Sequence, residues 1–197
     1  GNKSSMTRAS LGGVGTSSRQ IPASIGGWTV GSLVLGNFGR LSDLVVDGVP
    51  VGRWLSDDSQ IEPDKGSIVM VLATDAPLLD RQLKRLARRA VLGLARTGSN
   101  GGNGSGDVVI AFSTAAQVRS PLVPSTWTLP LSIVAESGPG GSSEAIDALF
   151  QAAVEATEEA ILNVLFKATT VIGRDGNRRE ALPLDSVLPM LAAHRRR

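Results

Sequence analysis

Residues 67–73, Ser-Ile-Val-Met-Val-Leu-Ala, form an apolar, β-branched run directly behind a glycine, Gly66. A run of this length without polar alternation predicts a strand covered on both faces, inside a layered domain. The serine at its head carries a second meaning. A glycine before a hydroxyl residue lets the backbone strain without a Cβ clash. A hydroxyl placed there is able to attack the preceding carbonyl and cut its own chain. The cut would leave Ser67 as a new N-terminus, with nucleophile and amine base on one residue. The alternative reading is ordinary: Gly-Ser is also turn punctuation at the entry to a buried strand.

Composition narrows the chemistry. The 197 residues suffice for one full core, or one and a half. Hydrophobic residues make up 42% and charged residues 19%, a globular balance. Aromatics reach only 4% and tyrosine is absent, so the core must be aliphatic. The chain has no cysteine. That removes disulfides, cysteine nucleophiles and thiolate metal sites, and it fits a reducing compartment, so the cytoplasm is the expected location, with the periplasm as the alternative. No apolar run reaches the about 18 residues of a membrane span, and Gly1-Asn2-Lys3-Ser4-Ser5 lacks the apolar centre of a signal peptide. The net charge of +2 demands no acidic partner, and Arg195-Arg196-Arg197 reads as a solvated tail. Neither a nucleic acid nor a membrane is an expected partner. Leu11 to Arg19 reads as a glycine loop without the Gly-Lys-Ser/Thr of a phosphate cradle. No cofactor and no metal are expected.

His194 is the sole histidine, three residues from the end and beside those arginines. A serine-histidine-aspartate triad needs an imidazole held by packing, which a chain end does not readily supply. A serine nucleophile here therefore takes its base from a lysine, a carboxylate or a free α-amine.

Along the chain, residues 1–27 read as irregular. Trp28 to Gly36 predicts a strand broken at Asn37-Phe38-Gly39-Arg40. Leu44-Val45-Val46 predicts a short strand turning at Asp47-Gly48, with a return strand over 49–54. Ser56 to Lys65 predicts an exposed loop ahead of Ser67. A helix starts near Asp75 and Pro77, with Leu79, Leu83, Leu86, Ala90, Val91 and Leu94 on one face and Arg81, Lys84, Arg85, Arg88 and Arg89 on the other. The basic face reads as solvated. A second glycine loop spans 97–106, and Asp107 to Ser113 predicts a third strand. Ser120 to Pro130 reads as a loop. Ser142 to Ala168 predicts a long amphipathic helix, 169–173 a short strand, and Asp185 the start of a last short helix with Pro189. Strands and helices together predict a layered α/β or α+β domain.

Three further residues stand out. Ser105 and Asp107 lie at the exit of the second glycine loop, Asn100-Gly101-Gly102-Asn103-Gly104-Ser105-Gly106-Asp107. Alternation in an extended segment points both to one side, where a hydroxyl could bond a nucleophile and a carboxylate hold an ammonium. The same residues also suit an ordinary loop. Asn37 is open to two readings as well, a turn former or an oxyanion donor.

These segments resemble a known family. Gly66-Ser67-Ile68-Val69 with Leu72-Ala73-Thr74-Asp75-Ala76-Pro77-Leu78 is similar to the self-processing aminopeptidases of the DmpA type, the L-aminopeptidase/D-Ala-esterase/amidases and β-peptidyl aminopeptidases. Gly12-Gly13-Val14-Gly15-Thr16-Ser17-Ser18-Arg19, the stretch Val30 to Gly39, and Asn103 to Thr114 resemble further family segments, in the same order. The resemblance implies a four-layer αββα sandwich, incomplete at the N-terminus. It implies self-cleavage at Gly66-Ser67 into pieces 1–66 and 67–197 of one domain, and homo-oligomers of those pieces. It implies Ser67 as nucleophile, Ser105 bonded to it, Asp107 supporting that network or a substrate amine, and Asn37 as oxyanion donor. The substrate class is a peptide or amino-acid amide. Nylon-oligomer hydrolases are similar too, but their nucleophile is threonine. A third reading is a scaffold that keeps the fold without a working pocket. The sequence departs from the family in length: it begins midway through the usual α part, and the part not represented carries an acidic residue and a tyrosine of the substrate pocket.

Overall fold

Strand formation begins earlier than the glycine content suggests. The computed structural model describes residues 11–56, 66–119, 126–128, 130–176 and 178–194. In it Leu11–Gln20, expected to be a loop, is a strand, β1. It pairs antiparallel with β2, Thr29–Phe38, with Val14 opposite Leu35. Its glycines serve a close approach rather than a turn. A Cβ on Gly15 would lie 2.1 Å from the carbonyl oxygen of Ala160, in the long helix packed against it.

β2 runs through Asn37 to Phe38 and ends at Gly39, where φ is +80°. Val46 and Val49 then bridge across Asp47-Gly48, both at positive φ, as a tight hairpin turn requires. The expected return strand over 49–54 is instead a short helix, α1, Val51–Leu55. Tertiary closure decides this. The Gly52 N–H donates to the Leu44 carbonyl at 2.9 Å, and a Cβ on Gly52 would fall 1.9 Å from the Leu41 carbonyl oxygen. The chain folds back on 41–44 rather than extending. The loop expected ahead of Ser67 falls almost wholly on residues 57–65, outside the described residues.

β3, Ser67–Thr74, lies between β2 and β4, Val108–Ser113. It is antiparallel to β2, with Ser67 opposite Asn37, and parallel to β4, with Val69 beside Val108. A parallel neighbour needs a crossover, and that crossover carries α2, Asp80–Arg96. The helix starts later than Asp75. The Asp75 carboxylate instead accepts the Thr29 N–H at 2.7 Å, and Gln82 Oε1 accepts the Leu79 N–H at the helix start. α3, Glu144–Lys167, follows the expected long helix. β5, Val171–Ile172, and β6, Arg178–Arg179, make a small hairpin of their own rather than joining the main sheet. α4, Leu184–His194, contains Pro189 and ends at the exposed His194.

Helices α2 and α3 cover one face of the sheet. There Val30, Val34, Ile68, Met70 and Leu72 are fully buried with Leu86, Ala90, Leu149 and Ile161. The other face differs from the expectation of two covered sides. Val14, Leu33, Leu35, Val108, Ile110 and Phe112 are 42–64% exposed on it. The described residues thus supply one helical layer and one sheet of an α/β fold. The basic face of α2 is not wholly solvated either: the Arg85 and Arg89 guanidinium groups sit 4.9 and 4.1 Å from the Phe150 ring centre, and Arg85 also pairs with Glu136.

The edge strand is tied to α3 by charge. Ser17 Oγ donates to Glu159 at 2.8 Å, Arg19 pairs with Glu159, and Arg19 Nε reaches Glu155 at 3.2 Å. The Ser17 hydroxyl first, then Arg19, hold the Glu159 carboxyl below its usual range.

Two predictions follow from this packing. Gly15→Ala drives a methyl into the Ala160 carbonyl and is expected to cost roughly 1–3 kcal/mol in urea unfolding. Gly31→Ala, whose nearest neighbour would be 3.9 Å away, is expected to be neutral; equal effects would contradict the close β1–α3 approach. For Glu159, a lowered carboxyl pKa stabilises the fold above the ordinary glutamate value, about 4.3, and that contribution is lost as pH falls through the lowered one. Glu159→Gln is therefore expected to lower the thermal midpoint at pH 7 and to converge on wild type in acid.

Candidate active site

The register of β3 brings three separate segments to one end of the sheet. Ser67 opens the strand and is exposed. Asn37 lies directly across from it on β2, and Leu35 faces Val69 one step further along the same open face. On the other side Gly66 bridges in parallel to Ser105, at the end of the second glycine loop. The approach of Gly66 to β2 admits no side chain: φ is +149°, and a Cβ would lie 2.0 Å from the Asn37 carbonyl oxygen. That puts the Gly66-Ser67 peptide between Asn37 and the 105–107 segment.

The polar groups connect in a short chain. Ser105 Oγ donates to Asp107 Oδ1 at 2.5 Å, so the two side chains do share a side. The same Asp107 oxygen accepts the Ile68 N–H at 3.2 Å, linking the carboxylate to the residue after Ser67. The Gly106 N–H donates to Ser67 Oγ at 3.1 Å. Asn37, Ser67 and the Ser105–Asp107 pair, from three segments far apart in sequence, thus meet at one end of the sheet. Gly106 escaped the sequence reading because its contribution is a main-chain group, present at every residue but proline. Among the described residues no group of three His, Cys, Asp or Glu side chains is placed to hold a metal ion.

Chemically the arrangement offers a hydroxyl with a fixed N–H donor and an amide side chain across the strand. A carboxylate sits one hydrogen bond away from the next main-chain N–H. The larger grooves lie elsewhere. One of about 800 Å³ runs between α3 and α4, past Leu162, Phe166 and Leu191. Another of about 600 Å³ adjoins Trp28 at the far end of the sheet. Ser67 lines neither, and its surroundings open onto the uncovered sheet face.

Asp107→Ala removes the acceptor of two donors. The Ile68 amide is expected to exchange with solvent roughly tenfold faster, read by hydrogen-exchange mass spectrometry; unchanged exchange would mean that bond does not form in solution.

Known proteins are similar to this chain. The β-peptidyl aminopeptidase BapA of Sphingosinicella microcystinivorans is 40% identical over 203 residues, covering 94% of this chain and 48% of that protein. A β-aminopeptidase structure from Burkholderia sp. superimposes with a TM-score of 0.76 at 41% identity, over 92% of this chain and 49% of the other. The L-aminopeptidase D-Ala-esterase/amidase of Ochrobactrum anthropi, described as a prototype of the serine aminopeptidases with a variant Ntn-hydrolase fold, gives 0.79 at 37% identity, over 98% and 51%. The chain thus spans about half the length of the relatives it matches. The pattern of peptidase family S58 matches residues 4–179, a span that takes in β1 through β6 and every side chain of the site, and on that extent the chain belongs to peptidase family S58.

Proposed function

We propose that this protein is a self-processing aminopeptidase or amidase with an N-terminal serine nucleophile. Its substrates are peptides, amides or esters, cut after an N-terminal L-, D- or β-amino acid. The observation that carries this reading is Ser67 Oγ at the head of β3, next to the Gly66 peptide, with Asn37 opposite and the Gly106 N–H bonded to it. Membership of family S58 and the similarity to aminopeptidases support it.

Ser67 Oγ attacks the Gly66 carbonyl carbon, the acyl group passes from nitrogen to oxygen, and water hydrolyses the ester. Gly66 ends as a carboxylate and Ser67 as a free α-amine. An α-amine has a pKa of about 7.7–8.0, suited to take the Oγ proton near neutrality when a substrate carbonyl is attacked. Asn37 donates to the oxyanion of each tetrahedral intermediate. Ser105 bonds Ser67 and tunes its proton transfer, and Asp107 supports that network or receives the substrate amine. The intermediate then breaks the substrate's amide or ester bond: the amine or alcohol leaves with the proton from the α-ammonium, and water hydrolyses the remaining acyl-Ser67 ester to free the acyl product.

The two pieces, 1–66 and 67–197, remain one domain. The open face of β1–β4 calls for a cover, because exposed apolar patches of this extent mark contact surfaces. We place a second sheet there, supplied from outside these 197 residues, completing the four-layer sandwich. Homo-oligomers of the cleaved pieces belong to the same reading. No described helix is long and apolar enough to cross a membrane, and the lack of cysteine favours the cytoplasm. Serine rather than threonine at 67 sets the nylon-oligomer reading aside.

Intact-mass spectrometry tests the proposal. Wild type is expected to split into pieces ending at Gly66 and beginning at Ser67 and to hydrolyse aminoacyl p-nitroanilides. Ser67→Ala is expected to stay whole and lose turnover by at least about a thousandfold. A wild type that hydrolyses these amides while remaining uncut would refute the mechanism.

A further inference from the structure

We infer that the main-chain N–H of Gly106 is a catalytic group, holding Ser67 Oγ through both self-cleavage and turnover, and that Ser105 and Asp107 act partly by aiming it. This rests on the proposed role of Ser67. The donor lies 3.1 Å from Oγ. A serine hydroxyl has one proton and two lone pairs. The Gly106 N–H occupies a lone pair, so it fixes where Oγ points and leaves the hydroxyl proton free to move to a base.

The bond also gains strength when it matters. Hydrogen bonds to a charged acceptor are roughly twice as strong as neutral ones. Negative charge gathers on Oγ as its proton leaves and again when the ester is hydrolysed and Oγ departs. Between those events Oγ is an ester oxygen, a poor acceptor. The interaction is therefore strongest at the two barriers and weaker in the states beside them, the condition for raising a rate rather than an affinity.

The direction of the N–H is set by its neighbours on both sides. Before it, Ser105 N–H bonds the Gly102 carbonyl at 2.8 Å, and Ser105 pairs with Gly66. After it, the Asp107 carboxylate is held by Ser105 Oγ and the Ile68 N–H. The 105–107 segment is thus pinned to β3 at Gly66 and Ile68, the residues flanking Ser67. Such a donor needs no reorganisation when charge develops. The side chain at 106 is constrained as well. A Cβ there would lie 3.1 Å from Ser67 Oγ, tighter than an ordinary contact, on the atom that must advance on a carbonyl. Glycine supplies the donor and leaves that space open.

The decisive experiment replaces the Gly106 amide by an ester, with glycolic acid at that position, which removes the N–H, adds no side chain and otherwise only weakens the Ser105 carbonyl as an acceptor. Cleavage at Gly66-Ser67 and kcat are each expected to fall about tenfold with KM unchanged. The limbs of the pH–rate profile are expected to stay in place, because the α-amine that titrates near neutrality is untouched while the rate falls at every pH. Gly106→Ala keeps the donor and crowds Oγ, and is expected to slow cleavage through that contact. Folding is checked in a Ser67→Ala background, which has no Oγ to hold. There the ester is expected to leave the thermal midpoint within about 2 °C, and a larger fall would assign the N–H to the fold and overturn the inference. Ester and wild-type chains that split at equal rates would overturn it alone. A wild type that never splits removes the functional reading together with it.

Discussion

The burial of Ile68, Met70 and Leu72 beneath α2 and α3 fixes everything else in this molecule. All three are completely inaccessible to solvent. Side chains alternate along a strand, so a slip of one residue would turn this set outward and send Ser67 into the helical layer. The hydrophobic cost of such a slip is several buried aliphatic side chains, each worth about 1.5–3 kcal/mol. The core thus decides that Ser67 faces the open side, across from Asn37.

The same strand has unlike neighbours, and that asymmetry builds the site. The antiparallel partner, β2, ends where β3 begins and sets Asn37 opposite Ser67. A parallel partner must first travel back along the molecule. Here the return is made by α2 and the loop over 97–107, which delivers Ser105, Gly106 and Asp107 to the same end. One end of β3 therefore meets groups from two distant parts of the chain, β2 and the 105–107 segment. Closure of 41–45 against that loop reinforces the arrangement: the Val45 N–H bonds the Thr97 carbonyl at 3.1 Å, and a Cβ on Gly98 would lie 1.8 Å from the Asp43 carbonyl oxygen.

The site and the uncovered apolar face lie on one side of the sheet. Ser67 and Asn37 stand at its rim, and Leu35 and Val69 continue inward from them. Whatever covers that face will also wall the space before Ser67. In the proposed reading, placement of Ser67 and substrate choice are thereby separated in the fold: β2, β3 and the 105–107 segment place Ser67, and substrate choice falls to the cover.

Sequence alone determined the elements whose signal is local. The apolar run over 67–73, the amphipathic repeat over 144–167 and the Asp47-Gly48 turn each depend on nearby residues, and the four side chains of the site were legible as chemical types with matching neighbours. Tertiary structure decided the rest. Gly12, Gly13 and Gly15 look like a loop until α3 lies against them, because glycine at a close approach and glycine in a turn are the same letter. Residues 51–55 turn helical because Gly52 closes onto Leu41 and Leu44, a contact between segments. The apolar run at 67–73 cannot say whether one face or two are covered, since that depends on what packs there. The N–H that meets Ser67 belongs to the backbone, which every sequence shares, so only the path of the folded chain could aim it.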